Sequence, residues 1–197
     1  MKGNMQNKAV YIKCKQALLS LIKRTSFDCV GIKDVVSECG FSRQYFYRFY
    51  ADKFDFVYDI FEEGFLAAGD IFTFERFVPQ FLREIEKNAV LYRKIMESSY
   101  FFDLYRLFFT AGRASAIVLA ESAFLRKFSP EQEAGIDFLF HGLVSVLFER
   151  LMTGKAVDSG RTIKIAAGFS RELNFLFRET ATTEQIVYKM KKLYYEK

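Results

Sequence analysis

Hydrogen-bonding side chains are concentrated in one short stretch of the sequence, between residues 43 and 48. This stretch contains Arg43, Gln44, Tyr45, Tyr47 and Arg48, interrupted by a single phenylalanine. Arginine can pair with two atoms on the edge of guanine and glutamine with two on adenine, while tyrosine hydroxyls reach phosphate oxygens. These residue types therefore indicate contact with the bases and phosphates of a nucleic acid.

The flanking residues predict the helices that would hold these side chains. Apolar residues recur at helical spacing from Ile32 to Cys39, and Gly40 suits the left-handed conformation that ends a helix. Ser42 can N-cap the next helix, which we expect to continue to Tyr50. An amphipathic helix with an apolar stripe from Cys14 to Ile22 precedes both. Two short helices joined by a tight glycine-containing turn, the second exposing polar groups, are typical of a helix-turn-helix.

Positive charge is concentrated in the same part of the chain. The formal net charge is +5. Residues 1–53 contain ten Lys and Arg against four Asp and Glu, whereas the rest of the chain contains 19 against 20. A segment that meets a polyanion is expected to carry such an excess. The basic residues are spread over several short helices, which does not fit one amphipathic helix lying on a membrane surface.

Residue types that carry catalysis or bind metals are sparse. His141 is the single histidine, and the sequence has no glycine-rich phosphate loop and no clustered metal ligands. We therefore expect no enzyme activity, no cofactor and no metal site. His141 stands beside Phe140 and Gly142, and we expect it at an interface or in the core.

The three cysteines are Cys14, Cys29 and Cys39. Their odd number and the absence of a clustered pair argue against a disulfide framework and against a zinc knuckle. Each lies near apolar residues in the helical pattern. We expect buried, reduced thiols that pack as small hydrophobic groups.

The composition predicts a large aromatic core and no membrane partner. Hydrophobic residues make up 51% of the 197 residues, with 24 Phe, 11 Tyr and no Trp. No apolar run approaches the length of about 18 residues that spans a bilayer. The stretch from Met1 to Asn7 is polar and lacks a signal core. We therefore expect a cytoplasmic protein.

The rest of the sequence predicts an all-helical body. Only Pro79 and Pro130 interrupt it, and apolar residues recur at helical spacing nearly throughout. We expect an all-α fold in which a three-helix head, residues 1–53, is joined by a fourth helix to a body, residues 54–197. The predicted helices of the body are about Phe74–Glu86, Ala89–Ser98, Phe101–Phe124, Pro130–Met152, Thr162–Arg178 and Thr183–Glu196.

The run from Gly40 to Lys53 resembles the recognition-helix motif of TetR-type transcription regulators. The family pattern is approximately Gly-Val-Ser-x-x-Thr-Phe-Tyr-x-x-Phe-x-x-Lys, and Gly40, Ser42, Phe46, Tyr47 and Lys53 match it directly. The resemblance covers about one quarter of the chain and is strongest to the subgroup of dihydroxyacetone kinase regulators. It implies a dimeric regulator of transcription that binds double-stranded DNA.

The resemblance also implies which side chains contact the DNA. Tyr47 and Lys53 would bind phosphates, and the residues at the start of the recognition helix would read bases. Arg48 suits either role, and Lys33, near the start of the second helix, is a further candidate. The full set is Lys33, Ser42, Arg43, Gln44, Tyr45, Tyr47, Arg48 and Lys53.

Three residues depart from the family pattern, and two of them, Gly31 and Tyr45, keep a second hypothesis open. Gly31 stands where the family usually has a capping Ser or Thr, Tyr45 replaces a small Thr, and Phe49 replaces a frequent His. The first hypothesis is a repressor that binds a pseudo-palindromic operator as a dimer and is released by a small-molecule effector. The second is a TetR-like co-regulator that acts mainly through a protein partner and binds DNA weakly.

The resemblance implies that two helices of the body pair with their copies in a homodimer. These would be about Gly135–Met152 and Thr162–Arg178, and the apolar residues of the first cover a wider face than one buried stripe requires. The alternative is that these faces only close the core of one chain. The predicted interface residues are Phe138, Gly142, Val146, Ala166, Phe169, Ser170, Leu173 and Phe177.

In TetR-type regulators the helical body often encloses a cavity for an effector. Whether this chain has such a cavity is a second open question. The aromatic residues between Phe54 and Phe109 either line such a pocket or fill an ordinary core. Aromatic residues at helical spacing suit both arrangements. The sequence names no ligand and no pocket residues.

Overall fold

The computed structural model describes residues 5–67, 71–72, 74–124, 129–157, 160–162, 164–165, 168 and 181–195. Over these residues the chain is helical apart from turns and one two-residue antiparallel strand pair, which confirms the predicted all-α fold. The chain divides into two compact units. The first is Met1–Phe61 with Val90–Phe101, and the second is Glu62–Ala89 with Phe102–Lys197. The predicted division into residues 1–53 and 54–197 stays a prediction.

The helices and strands follow one another in a simple order. The two short strands pair in antiparallel orientation, Ile71 with Thr182 and Phe72 with Ala181. Residues 160–162, 164–165 and 168 are also helical. The elements are α1 (Met5–Ile22), α2 (Ile32–Cys39), α3 (Arg43–Phe46), α4 (Lys53–Ala67), β1 (Ile71–Phe72), α5 (Phe74–Lys87), α6 (Ala89–Met96), α7 (Phe101–Phe124), α8 (Pro130–Thr153), β2 (Ala181–Thr182) and α9 (Thr183–Tyr195).

Helices α5 to α9 begin at the residues that the sequence predicted. Proline at the first position explains the start of α8 at Pro130, since its missing amide would be unsatisfied there in any case. Gly154, with φ of 68°, ends that helix in the left-handed region. The predicted helix Thr162–Arg178 lies mostly outside the described residues. None of the described helices has the length and apolar character that a membrane span requires.

The third helix is shorter than expected. It ends at Phe46 instead of continuing to Tyr50. Beyond Phe46 the backbone tightens, because the amides of Arg48 and Phe49 donate to carbonyls three residues back, at 3.3 and 3.0 Å. Bulky aromatic residues such as Tyr47 lose side-chain freedom in a helix, and five of them lie between Arg43 and Tyr50.

The core of the first unit is built from α1, α2, α3 and the start of α4. Cys14, Leu18 and Ile22 on α1 are completely buried, as the helical stripe predicted. Phe46 of α3 is 1% exposed and meets Phe56 of α4 edge to face, with ring centroids 5.8 Å apart. Aromatic pairs of this geometry contribute about 0.5–1.5 kcal/mol beyond the area they bury. The contact between Phe46 and Phe56 holds the buried face of α3 against the rest of the first unit.

Two hydrogen bonds from backbone amides to carboxylate side chains stabilise the start of α4. The carboxylate of Asp52 accepts from the amide of Asp55 at 2.8 Å, and the Asp55 carboxylate accepts from the amide of Ala51 at 2.8 Å. The amide of Asp55 in the first turn and the amide of Ala51 just before the helix are thereby satisfied. Asp52 thus acts as the N-cap of α4.

The second unit is packed by aromatic side chains of α5, α7 and α8. Phe108 meets Phe81 at 6.4 Å and Phe148 at 5.6 Å between centroids. Gly112 of α7 provides room for Phe140, whose ring would lie 2.2 Å from a Cβ at that position. These side chains pack against each other, which is the arrangement expected of a core.

Candidate nucleic-acid interface

A left-handed glycine sets the direction of the chain between α2 and α3. Gly40 has φ of 74° and ψ of 25°, a conformation that costs glycine little and strains other residues. The next amide, that of Phe41, donates to the carbonyl of Val36 at 2.9 Å and closes the end of α2. The predicted glycine turn is confirmed, and it delivers the chain to Ser42.

Ser42 starts the recognition segment, which we define as residues 42–49. Its backbone is extended, and its hydroxyl accepts from the amide of Tyr45 at 3.1 Å. The predicted N-cap is therefore confirmed. The cap places Arg43 and Gln44 in the first helical turn, where side chains project beyond the helix end.

The recognition segment has one buried and one exposed face. Phe46 points into the core, whereas Arg43, Gln44 and Arg48 are exposed and Tyr47 is 48% exposed. The exposed set provides guanidinium, amide and hydroxyl groups, which are the groups that pair with base edges and phosphates. The structure brings these four predicted site residues together on one short surface.

Tyr45 has a different environment from the other predicted base readers. It is half-buried between Phe41 and Phe49, with ring centroids 5.6 and 5.4 Å away. We call these three rings the aromatic strip. Two cations lie over the strip: the Arg48 guanidinium is 5.9 Å from the centroid of the central ring, Tyr45, and the Lys13 ammonium is 5.5 Å from that of Phe41.

The start of α2 keeps a cap contact although Gly31 has no side chain. The carboxylate of Asp34 accepts from the amide of Gly31 at 2.9 Å, which is half of a capping box. Lys33 is exposed in the same turn. The loss of a hydroxyl at residue 31 is therefore compensated within the helix, and Lys33 remains a basic group at this surface.

Lys53 occupies a place that the sequence did not predict. Lys53 is only 8% exposed, and its ammonium donates to the carbonyls of Phe27 and Val30 at 2.5 and 2.9 Å. The same ammonium lies 4.2 Å from the ring centroid of Phe27 and 5.2 Å from that of Tyr100. Burial lowers the pKa of Lys53. The side chain is directed inward and holds the segment between α1 and α2, so the geometry does not favour the expected phosphate contact.

A carboxylate next to Lys53 links two distant segments of the first unit. Asp28 accepts from the hydroxyl of Ser99 at 2.6 Å and from its amide at 3.2 Å. The hydroxyl bond is the main reason that the pKa of Asp28 lies below its ordinary value. Stacking of Tyr100 on Phe54, 5.8 Å apart at 5°, fixes the same turn. The sequence reasoning missed the contact between Asp28 and Ser99 because the two residues are 71 positions apart.

Part of the predicted dimer surface lies within the described residues. Phe138 is 80% exposed, Gly142 is exposed and Val146 is half-buried, all on α8. His141 is exposed beside them, with Nδ1 2.6 Å from the Tyr105 hydroxyl and its ring stacked on Phe109 at 4.1 Å. Five further predicted interface residues lie outside the described residues, namely Ala166, Phe169, Ser170, Leu173 and Phe177.

The cysteines and the acidic residues give no sign of a metal centre in the described ranges. Within them, no three His, Cys, Asp or Glu side chains are grouped as metal ligands. Cys14 is buried and Cys39 is half-buried, but Cys29 is exposed, so the expectation of a buried thiol at residue 29 is wrong. Cys29 lies in the segment between α1 and α2.

Comparison with known proteins supports the fold. No protein-family profile matches the chain, and no curated protein sequence matches it. A solved structure described as the dihydroxyacetone kinase operon activator DhaS is similar, with a TM-score of 0.63 and 14% identity. The likeness covers 85% of this chain and 97% of that one. Membership of the TetR family stays a prediction at this identity. The chain therefore shares the fold of this activator.

Proposed function

We propose that this chain is a transcriptional regulator that binds double-stranded DNA through the recognition segment. The observation that carries the proposal is the exposed surface of Arg43, Gln44, Tyr47 and Arg48 on a Ser42-capped helix. Excess positive charge in residues 1–53 supports the same assignment, since phosphate contacts supply much of the affinity of such proteins. The name of the structural neighbour, an operon activator, agrees with a regulatory role.

Arg43 and Gln44 are the base readers in this proposal. They stand in the first turn of α3, and the first residues of a recognition helix commonly reach base edges in the major groove. Tyr47, Ser42 and Lys33 contact phosphates in this proposal, and such contacts position the protein without reading sequence. Arg48 serves either purpose. Lys53 enters as a positioning residue, because its ammonium is already engaged by two carbonyls.

We propose further that the chain acts as a dimer on a pseudo-palindromic site. One recognition segment reads too few base pairs for useful specificity, so such proteins pair on two half-sites. The ring of Phe138, 80% exposed on α8, supports pairing, because removing a phenylalanine side chain from water is favourable. Repression relieved by a small-molecule effector stays the prediction from the sequence, and the neighbour's name offers activation as the alternative.

The aromatic strip favours a second candidate function. Tyr45 is enclosed by Phe41 and Phe49, and its edge is less free to follow a base than a small threonine would be. Aromatic residues flanked by cations also suit a protein partner. In this second candidate the chain is a co-regulator whose recognition segment contacts another protein and binds DNA weakly.

Selection of bound fragments from random duplex DNA separates the two candidates. A DNA-binding dimer enriches inverted repeats, and its affinity for the selected duplex falls steeply as salt rises. Arg43→Ala should abolish the enrichment, whereas Arg83→Ala, which removes an exposed arginine on α5, should leave it unchanged. Absence of enrichment and of binding in dilute buffer would reject the first candidate and leave the co-regulator.

A further inference from the structure

Two cysteines on different helices of the first unit lie against each other. The Sγ atoms of Cys14 on α1 and Cys39 on α2 are 3.7 Å apart, although the residues are 25 positions apart in sequence. Cys14 is completely buried, and Cys39 is half-buried with its thiol donating to the carbonyl of Val35 at 3.1 Å. The sequence placed both as independent hydrophobic groups, because no local spacing brings them together.

We propose that Cys14 and Cys39 form an oxidisable dithiol, which a peroxide converts to a disulfide between α1 and α2. The bonded sulfurs of a disulfide lie about 2.05 Å apart, so closure requires an approach of about 1.7 Å. Rotation about the side-chain bonds of Cys39, with loss of its weak bond to Val35, can provide most of that distance. The remaining movement falls on the end of α2.

The exposures of the two thiols fix the order of the reaction. Cys39 is the half-exposed partner, so the peroxide meets its sulfur first and one oxygen is transferred, giving a sulfenic acid and one water. The sulfur of Cys14 then attacks the Cys39 sulfur. The S–O bond breaks, and the departing hydroxide takes the thiol proton of Cys14 to leave as a second water. In total, two thiols lose two electrons and two protons to one peroxide.

The environment of Cys14 makes the second step slow. Burial, and then the contact with Cys39, raises the pKa of the Cys14 thiol to about 12. The thiolate is the attacking species in such reactions, so a raised pKa lowers its population. We therefore expect closure over minutes to hours rather than seconds, with the sulfenic acid of Cys39 detectable before it.

The position of Cys39 connects this reaction to DNA binding, a step that rests on the proposed function. Cys39 is the last residue of α2, and Gly40 follows it directly and turns the chain toward Ser42. A covalent bond to α1 displaces this end of α2. The recognition segment is then presented differently, and we expect several-fold weaker binding to the selected duplex, restored by dithiothreitol.

Intact mass after oxidation tests the chemistry without any DNA. The full chain carrying Cys29→Ser, which removes the exposed thiol, is treated with hydrogen peroxide in the presence of a chelator and then alkylated after denaturation. We expect the mass to fall by two hydrogens and neither remaining cysteine to be alkylated. Two alkylated cysteines, or added oxygen without loss of hydrogen, would overturn the proposal.

Two matched variants keep this test decisive. Cys14→Ala in the same background cannot close, so Cys39 should retain its oxygen and stay reducible by dithiothreitol. Cys39→Ala should resist the peroxide, since the remaining thiol is buried. If one of them fails to fold, as judged by its helical circular dichroism, the other decides. Loss of two hydrogens in either variant would contradict the pairing.

The regulatory consequence has its own readout. The oxidised and reduced forms are compared for binding to the selected duplex, with Cys39→Ala as the form that should not respond. Equal binding by the disulfide form and the reduced form would reject the link to DNA while leaving the dithiol chemistry in place. A chain that closes the disulfide and binds no duplex in either form would instead count against the proposed function.

Discussion

The ammonium of Lys53 lies 2.9 Å from the carbonyl oxygen of Val30. Lys53 is the first residue of α4, a position where a cation is disfavoured by the helix dipole. The ammonium compensates for this unfavourable interaction by contacting two carbonyls of the segment between α1 and α2 and the faces of two aromatic rings. The lysine thus ties the start of α4 to the turn that precedes the helix-turn-helix.

We expect Lys53→Met to destabilise the first unit by about 1–3 kcal/mol, the usual cost of leaving buried polar groups unsatisfied. Methionine keeps most of the apolar stem but provides no donor to the carbonyls of Phe27 and Val30. The free energy of unfolding, measured in urea, checks the prediction.

The matched control for this substitution is Lys33→Met. Lys33 is an exposed lysine of the same unit, and its replacement should change the free energy of unfolding by no more than about 0.5 kcal/mol. DNA binding by the Lys53→Met chain should decline only as its folded fraction declines. A fully stable Lys53→Met chain that has lost binding at all DNA sites would instead support the direct phosphate contact.

Much of the fold could be predicted because its signals are local. Gly40 ends α2 and Pro130 starts α8 through backbone geometry that one residue determines. The stripe of Cys14, Leu18 and Ile22 follows from helical periodicity and is buried as expected. Such features require no knowledge of which helices become neighbours.

The parts that sequence reasoning missed depend on contacts between distant residues. Lys53 looks like a surface residue in sequence, and only the fold shows that the carbonyls of Phe27 and Val30 lie within its reach. The close approach of Cys14 and Cys39 likewise depends on how α1 crosses α2. The early end of α3 has another cause, since each aromatic residue alone is tolerated in a helix and their crowding is what shortens it.

Arg43 and Gln44 are expected to determine sequence preference. Their exposed side chains suit paired hydrogen bonds with guanine and adenine, each worth about 1–3 kcal/mol of discrimination. Arg43→Ala or Gln44→Ala should therefore bind selected and scrambled duplexes with more nearly equal affinity. Lys33→Ala should weaken both duplexes alike and lower the salt dependence. Equal, sequence-independent losses in all three variants, measured by fluorescence anisotropy, would reject these roles.

Asp28 is expected to make stability depend on pH in the acid range. The Ser99 hydroxyl bond is the main factor that lowers the pKa of Asp28 in the folded chain, so this group stabilises the fold above its unfolded pKa of about 4. That contribution is lost as the pH falls through the lower, folded pKa. Asp28→Asn should therefore be less stable than the parent chain near neutral pH, and the difference should shrink below pH of about 4.

Ser99→Ala provides the companion measurement for Asp28. It removes the hydroxyl donor but keeps the carboxylate, so the pKa of Asp28 should return toward its ordinary value and the acid-dependent part of the stability should decrease. Urea midpoints between neutral and acid pH report the effect. A difference between the parent chain and Asp28→Asn that stays constant over this range would show that the carboxylate charge has no role in the contact.

Phe138 is expected to lie at the centre of the homodimer. The side chain is 80% exposed on α8, and burying a phenylalanine is worth about 1.5–3 kcal/mol, which a symmetric dimer gains once for each copy. Phe138→Asp should therefore shift the protein to a monomer at concentrations where the parent chain is a dimer, as measured by sedimentation velocity. Tyr188→Asp is the matched control, since Tyr188 is 71% exposed on α9, outside the expected interface. A monomeric parent chain, or a Phe138→Asp chain that dimerises like the Tyr188→Asp chain, would remove α8 from the proposed interface.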